Sequence, residues 1–335
     1  MAKHKRNDYQ YPCAVIRGNE LTLLGTADLH KVVEAGTMQA AMQILHEFGY
    51  GDGKELVNPR DFEGTLAAEQ ERVVALVQSV VPEKEELEFL QYPADYHNAK
   101  VILKAEALGT DPAPYFMKGG RLEGEKLADM VKERNFLFTP EYLRDAILET
   151  FETYAKHKDP QEIDILLDQA CYREMLKDAE ADGSDFVIGY VKLLIDVLNV
   201  QTFVRVKQVG KPVEFLEKVF LDGGNVDYGT LKELYGEGYQ QIGEKLDIYG
   251  FGEVMSRGGT ESADNGSFAL MEKLCDNLRI KYVQGAKYIT AGIEPIAAFY
   301  VAKEIELKNL RMVLTGKLVG IAEETLKERL RETYV

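Results

Sequence analysis

The residues of this chain best suited to chemistry are an acid and an amide, three positions apart, that recur three times. The pairs are Asp95 with Asn98, Asp196 with Asn199, and Glu306 with Asn309. A carboxylate beside an amide can accept and donate several hydrogen bonds, so it can hold a backbone segment, a ligand or a partner surface. The asparagines are 101 and 110 residues apart. This period predicts three structural units of similar size.

Each pair lies at the start of a predicted helix face that ends small and apolar. The positions eleven residues after the asparagines are Gly109, Gly210 and Gly320. If this face packs inward, the acid and the amide must find partners, because an unsatisfied buried polar group costs about 1–3 kcal/mol. We therefore interpret the pairs as structural anchors to a neighbouring backbone or helix end. The alternative is that three acids around a pseudo-threefold axis form a binding surface.

Signatures of catalysis and of cofactor binding are missing from the sequence. The five histidines form no pair at metal-ligand spacing, and there is no CxxC, HExxH or EF-hand motif. No GxxxxGK[ST] phosphate loop is present. Gly236 with Gly238, and Gly250 with Gly252, are short GxG pairs without the strand–turn–helix context of a dinucleotide site. The sequence predicts no catalytic residue, metal, cofactor or small-molecule substrate, and hence a protein that is not an enzyme.

The charge of the chain limits its partners. A formal charge of −16 repels nucleic acid and anionic lipid, so neither is expected to bind. No apolar run approaches the roughly 18 residues of a membrane span. The basic start of the chain is followed by no apolar stretch and is predicted to be a solvated tail rather than a signal peptide. Three widely spaced cysteines favour free thiols in a reducing compartment.

Hydrophobic periodicity predicts an all-α fold. Apolar residues recur at intervals of three and four in six runs, at 65–81, 128–133, 141–157, 162–178, 189–208 and 268–283. The short segment 202–206 resembles a strand by composition, but its place inside the second repeated helix favours helix. Before the helical run at 141–157, Thr139 is predicted to be the capping residue and Pro140 to occupy the first helical position. The glycine-rich segment 250–267 is predicted to be a mobile loop.

The repeat extends beyond one helix and sets the predicted domain boundaries. The glycine pairs Gly119-Gly120 and Gly223-Gly224 occupy matching places, each seven residues before a leucine when counted from the second glycine. The three predicted units are 1–118, 119–222 and 223–335. The third is short at its end, and the segment from Leu24 to Leu45 resembles the segments after the glycines in the other copies. We therefore predict that the N-terminal segment completes the third unit.

The end of the chain carries a specific resemblance to a known family. Gly292-Ile-Glu-Pro295 and the segment from Ala302 to Gly320, with Asn309 and Gly316 within it, are similar to the closing signature of the C subunit of V/A-type rotary ATPases. The eukaryotic relative is the d subunit of the V-type pump. The start, with Tyr9, Tyr11 and Arg17, and the later Gly49-Tyr50-Gly51 resemble that family's opening. The interruption at Gly18-Asn19 and the basic hexapeptide at the start depart from it.

The resemblance implies an all-α protein with three pseudo-threefold-related helical-bundle domains arranged as a funnel-like disc. It implies a non-catalytic central-stalk part, peripheral on the cytoplasmic face of the membrane, that couples the shaft subunits D and F to the membrane rotor ring of c/K-type subunits. ATP-driven proton or sodium transport, or ATP synthesis, would be carried out by the whole complex. The alternative is a helical-repeat scaffold or adaptor that is not part of a rotary ATPase.

The matched loops are the predicted partner-binding sites. By pseudo-symmetry they are expected to project toward the same end of the molecule. The glycines that mark them are Gly109, Gly119, Gly120, Gly210, Gly223, Gly224 and Gly320. The loops keep glycine and polar character, whereas the helices between them have apolar faces.

Overall fold

The fold is described by a computed structural model that covers residues 6–51, 58, 60–83 and 85–335. Over these residues the chain forms sixteen α-helices and no β-strand, which confirms the predicted all-α class. The first eight helices are α1 (Gln10–Glu20), α2 (Thr26–Glu34), α3 (Met38–Glu47), α4 (Phe62–Val80), α5 (Tyr92–Leu108), α6 (Gly124–Glu133), α7 (Glu141–His157) and α8 (Pro160–Asp182). The other eight are α9 (Asp185–Gln208), α10 (Val213–Val219), α11 (Tyr228–Leu234), α12 (Tyr239–Leu246), α13 (Thr260–Asn265), α14 (Ala269–Val283), α15 (Glu294–Leu318) and α16 (Glu323–Arg329). The predicted basic tail, apart from Arg6, lies outside the described residues.

The helix boundaries follow local signals. Helix α7 spans the predicted residues, Glu141–His157. Pro140 occupies the N-cap position and not the predicted first helical position. Helix α9 begins after Ser184, whose side chain accepts the backbone N–H of Val187. The segment 202–206 lies inside α9 and is helical, as its place in the repeat predicted.

One compact unit comprises Glu85–Tyr235. In it α5 packs against α6, α7 and α8, α7 packs against α8, and α9 packs against α8 and α10. Helices α7 and α8 are joined by only two residues, Lys158 and Asp159, which gives an αα-hairpin. The core is apolar, with fully buried side chains such as Leu143, Leu167 and Phe203.

The other compact unit joins the described part of Ala2–Lys84 to Gly236–Val335. Helix α15 lies at its centre and packs against α1, α2, α3, α4, α14 and α16. The hydrophobic core combines side chains from both ends of the chain, including Leu29, Leu45, Leu310 and Leu326. The three predicted domains and the funnel-like arrangement remain predictions.

The glycine-rich segment 250–267 differs from the expected mobile loop. It holds a π-helix at Val254–Gly259 that runs directly into α13. A Cβ on Gly258 would lie 2.7 Å from the Cα of Met271, and one on Gly259 would lie 2.6 Å from the ring of Tyr239. These two glycines allow close packing between helices, and the predicted loop is wrong for residues 254–265, which are helical.

The sequence showed no apolar run of the length of a membrane span, but helix α9 meets weaker criteria for one. By length and composition it is the one helix of the described residues apolar enough to cross a membrane. Lys192 and Asp196 interrupt its apolar residues, so no uninterrupted run is visible in the sequence. Its apolar window is 56% buried inside the protein, as in the core helix of a folded domain, so it is weak evidence for a span.

Candidate functional site

The three acid–amide pairs are buried on the helices α5, α9 and α15, which have 17, 24 and 25 residues and are called the long helices below. Exposure of the six side chains runs from 0% for Asp95 and Asn98 to 6% for Glu306. Each pair faces the chain segment that leaves its own helix and runs back along it, and in α15 it also faces the N-terminal segment. The candidate site therefore consists of three copies of one helix–loop anchor.

The asparagine of each pair holds one backbone residue at both its N–H and its C=O. Asn98 accepts the N–H of Met117 at 2.8 Å and donates to its carbonyl at 3.0 Å. Asn199 does the same with Leu221 at 2.9 and 2.8 Å, and Asn309 with Arg331 at 2.9 and 3.3 Å. Two opposed bonds to one residue define the position and the direction of the returning segment.

The acid of each pair holds the residue that leads into the next short helix. Asp95 accepts the N–H of Leu122 at 3.1 Å, two residues before α6. Asp196 accepts the N–H of Val226 at 2.9 Å, two residues before α11. Glu306 accepts the N–H of Leu24, two residues before α2. The third anchor is therefore completed by the N-terminal segment.

Glycine allows the returning segment to approach the shorter acid. A Cβ on Gly120 would lie 2.3 Å from Oδ1 of Asp95, and one on Gly224 would lie 2.2 Å from Oδ1 of Asp196. The equivalent position before Leu24 is Thr22, and there the acid is Glu306. Because glutamate is longer by one methylene, it reaches the backbone N–H without requiring a glycine.

The third anchor also contains a buried ionic network. The ammonium of Lys303 lies 2.7 Å from Glu306 and 3.0 Å from Glu69, and it donates to the hydroxyl of Tyr50 at 2.9 Å. Tyr50 in turn donates to Glu306. Arg72 pairs with Glu69 at 2.6 and 2.7 Å. The network connects α4, α15 and the loop after α3, and the sequence pattern contained no sign of it.

The predicted loop glycines separate into two groups. Gly109, Gly210 and Gly320 have left-handed φ angles of 67°, 68° and 76° at the C-terminal ends of the long helices. Gly120 and Gly224, which follow Gly119 and Gly223, lie against the acids, near the N-terminal end of α5 and at the middle of α9. Asp95 and Gly109 are separated by 14 helical positions, or about 21 Å along the axis. Each connection therefore returns from the C-terminal glycine along 14 positions of its helix to the acid. The projection of the connections toward the same end of the molecule stays a prediction.

An exposed aliphatic residue precedes each of the three C-terminal glycines. These residues, the helix-end aliphatics, are Leu108, Val209 and Val319, with exposures of 74%, 72% and 68%. The sequence-based prediction did not include them, although their position directly before the matched glycines is visible in the sequence. Leu108 and Val209 belong to the first compact unit, and Val319 belongs to the other.

Features of a small-molecule or metal site are limited in the described residues. No group of three or more His, Cys, Asp or Glu side chains in that part of the chain could hold a metal ion. A cavity of about 220 Å³ in the first unit is lined mainly by apolar atoms, from residues such as Leu103, Phe151 and Ile163. Two of its polar lining residues already have partners within the protein. Glu106 pairs with Arg134, and the hydroxyl of Thr150 donates to the carbonyl of Ala146.

Comparison with known proteins gives a consistent result over nearly the whole chain. The model of the family described as ATP synthase (C/AC39) subunit matches residues 12–329. The C subunit of the V-type sodium ATPase of Enterococcus hirae is 26% identical over 96% of this chain and 97% of its own length. The C subunit of the A-type ATP synthase of Methanocaldococcus jannaschii is 24% identical over 96% of this chain and 86% of its own length, and that of Pyrococcus abyssi is 22% identical over 98% and 91%.

Proposed function

Because this chain belongs to the ATP synthase (C/AC39) subunit family and is thus a subunit of a V/A-type rotary ATPase, we propose that it is the non-catalytic rotor part that couples the D/F shaft to the membrane ring. It would lie on the cytoplasmic face of the membrane, without a membrane span of its own. Ion transport or ATP synthesis would be an activity of the assembled complex.

The observation that carries this proposal is the threefold recurrence of an exposed aliphatic residue at the end of a buried, anchored helix. A coupling part must be stiff, and it must have contact surfaces that do not slip. Stiffness follows from the acid–amide anchors, which hold each returning segment by hydrogen bonds to backbone atoms. Each long helix has one contact candidate at its C-terminal end and a tightly held loop beside its acid, which lies 14 positions before the C-terminal glycine.

We assign the helix-end aliphatics to one interface and the loops beside the acids to the other. In the third repeat the loop beside the acid includes Leu21, which is 87% exposed. Leu21 occupies the position equivalent to Gly119 and Gly223. Two partners, the ring and the shaft, require two such surfaces. Family membership also weighs against the alternative of a scaffold unrelated to rotary ATPases.

The test is a triple variant, Leu108→Ser, Val209→Ser and Val319→Ser, assembled with the other subunits. These side chains are exposed, so the variant is expected to fold normally. Each aliphatic contact is worth about 1 kcal/mol at an interface, so the triple variant should bind one partner on the order of 100-fold more weakly. Co-purification with the ring subunits and with D and F would be measured separately.

Two further variants complete the test. Ile248→Ser is the matched control, since Ile248 is an aliphatic residue 82% exposed that lies at none of the three helix ends. Leu21→Ser should weaken binding of the partner that the triple variant leaves bound. Unchanged binding of both partners by the triple variant would exclude the helix-end aliphatics as an interface.

A further inference from the structure

The three anchors differ in how well their acid is satisfied. Both carboxylate oxygens of Asp196 have donors, because Asn225 offers its backbone N–H at 3.0 Å and its side-chain amide at 2.8 Å to Oδ2, while Val226 binds Oδ1. Both oxygens of Glu306 also have donors, from Leu24 and Tyr50. In Asp95 only Oδ1 is bonded, and Oδ2 is buried without a hydrogen-bond partner.

The difference arises from one loop residue. The position of Asn225 in the second repeat is occupied by Arg121 in the first. The guanidinium of Arg121 turns to Glu88 at 2.8 Å and to the hydroxyl of Tyr142 at 3.1 Å. Oδ2 of Asp95 therefore lacks the side-chain amide donor that Asn225 supplies to Asp196, and the backbone N–H of Arg121, although it acts on Asp95, forms no hydrogen bond to this oxygen.

A second orphaned acceptor lies on the same helix face. Oε1 of Gln91 is buried and has no hydrogen-bond partner, and Gln91 precedes Asp95 by four residues, or one helical turn. Two buried acceptors a turn apart, both without donors, are an unfavourable arrangement. A hydrogen atom on Oδ2 of Asp95 turns this acceptor into a donor, so the buried oxygen no longer needs a donor from the protein.

We propose that Asp95 is a buried proton-binding site in the first repeat, whereas the equivalent acids of the other two repeats are held as hydrogen-bonded carboxylates. The proton replaces the donor that the second repeat obtains from Asn225. The segment that Asn98 and Asp95 hold, from Met117 to Leu122, is one of the loops assigned to a partner interface. The proton site itself depends only on the anchor geometry and not on that assignment.

The surroundings of Asp95 support this assignment. Burial raises its pKa to about 6, and the backbone N–H groups of Leu122 and Arg121 only partly oppose that effect. The charged and titratable groups facing it are Glu88 before α5, Arg121 in the loop, Tyr142 on α7 and Cys171 on α8. Arg121 favours the carboxylate and Glu88 opposes it, and these two form a pair with each other. Burial also raises the pKa of Asp196 above its ordinary value, although Val226 and Asn225 oppose this effect with three hydrogen bonds.

The first experiment compares Asp95→Asn with Asp196→Asn in the full chain, by urea unfolding between pH 5 and pH 7.5. Asparagine mimics the neutral acid, so the Asp95→Asn protein should lose this group's pH dependence. A folded pKa of about 6 against about 4 when unfolded makes the wild-type protein less stable as pH rises through this range. Relative to wild type, the folding equilibrium constant of Asp95→Asn should therefore rise about tenfold from pH 5 to pH 7.5.

Asp196→Asn is the matched control, because its new amide would face the donors of Asn225 and should destabilise the protein at every pH in the range. The proposal would be overturned if the ratio of the folding equilibrium constants of Asp95→Asn and wild type did not change with pH. The second experiment follows the carboxyl carbon of Asp95 by NMR, assigned by its loss in Asp95→Asn. A midpoint near pH 6 is expected, and a midpoint below pH 4.5 would mean an ionised carboxylate served by a buried water.

A grafted donor gives a third measurement. The double variant Arg121→Asn with Glu88→Gln places the second repeat's asparagine beside Asp95 and leaves no unpaired glutamate. The midpoint of Asp95 should then fall toward that of an ordinary aspartate. A midpoint that stays near pH 6 in a folded protein would show that the missing donor is not the cause.

Discussion

Glu306 and Leu24 are hydrogen-bonded although 282 residues separate them in the chain. The bond is equivalent to those between Asp95 and Leu122 and between Asp196 and Val226, which lie only 27 and 30 positions apart. The third anchor thus joins a helix near the C-terminus to a segment near the N-terminus. Its two pieces are held together by side-chain chemistry instead of by a continuous backbone.

This arrangement explains why the third anchor differs in composition. The first two anchors combine aspartate with a glycine in contact, and the third combines Glu306 with Thr22 and the network around Lys303. A longer acid tolerates a larger loop residue, and the buried ion pairs connect segments that the chain itself does not join. The third anchor therefore depends on the length of the Glu306 side chain and on the compensation of buried carboxylate charge by Lys303.

Lys303→Met should be severely destabilising. The variant leaves Glu306 and part of the charge of Glu69 buried without a cation, which costs about 3–5 kcal/mol of unfolding free energy. The matched control is Lys31→Met, since Lys31 pairs with Asp28 but is 58% exposed, and its loss should cost less than about 1 kcal/mol. Urea unfolding measures both, and equal small losses would contradict a stabilising role for the network.

Gly224→Ala should destabilise the second anchor. The new Cβ would lie 2.2 Å from Oδ1 of Asp196, so the loop must move away and weaken the bonds to Asn225 and Val226. We expect a loss of about 1–3 kcal/mol. Gly236→Ala is the control, because no heavy atom lies within 4 Å of its added Cβ and its backbone is not left-handed. If both variants show the same small shift in Tm, the close approach of the loop to Asp196 is not the reason for a glycine at position 224.

Acidification should release the C-terminal segment through Asp276. Burial acts to raise the pKa of Asp276, but Lys308, Arg279 and Arg331 outweigh it, so the pKa lies below its ordinary value. A depressed pKa in the folded state adds stability that is present above about pH 4 and is lost as pH falls through the folded pKa. Hydrogen exchange of residues 330–335 should therefore increase below pH 4, after correction for intrinsic rates.

The control for this prediction is Asp276→Asn, which removes the charge at all pH values. The C-terminal segment of this variant should exchange rapidly at pH 7 and show little further change on acidification. Since Arg331 donates to Asp276 at 2.8 Å, protection of the segment that is equal in the variant and the wild type at pH 7 would rule out this ion pair as its anchor.

The features determined by the sequence alone are the local and periodic ones. Helical periodicity placed α7 and most of α9 and α14, and the recurring acid, amide and glycine located the three long helices. These features are readable because a helix face repeats every three to four residues, and because an internal repeat shows the same requirement three times. The resemblance of the C-terminal signature indicated the family independently of the fold.

Only the tertiary structure decided what those residues contact. It showed that Asn98, Asn199 and Asn309 each hold one backbone residue, that Glu306 binds the opposite end of the chain, and that glycines in 250–267 serve close packing. The network of Lys303 and the missing donor at Asp95 depend on segments that are distant in sequence. Hydrogen-bond partners and burial are set by the three-dimensional path of the chain, and a residue's type shows only that it needs a partner, not which one it finds.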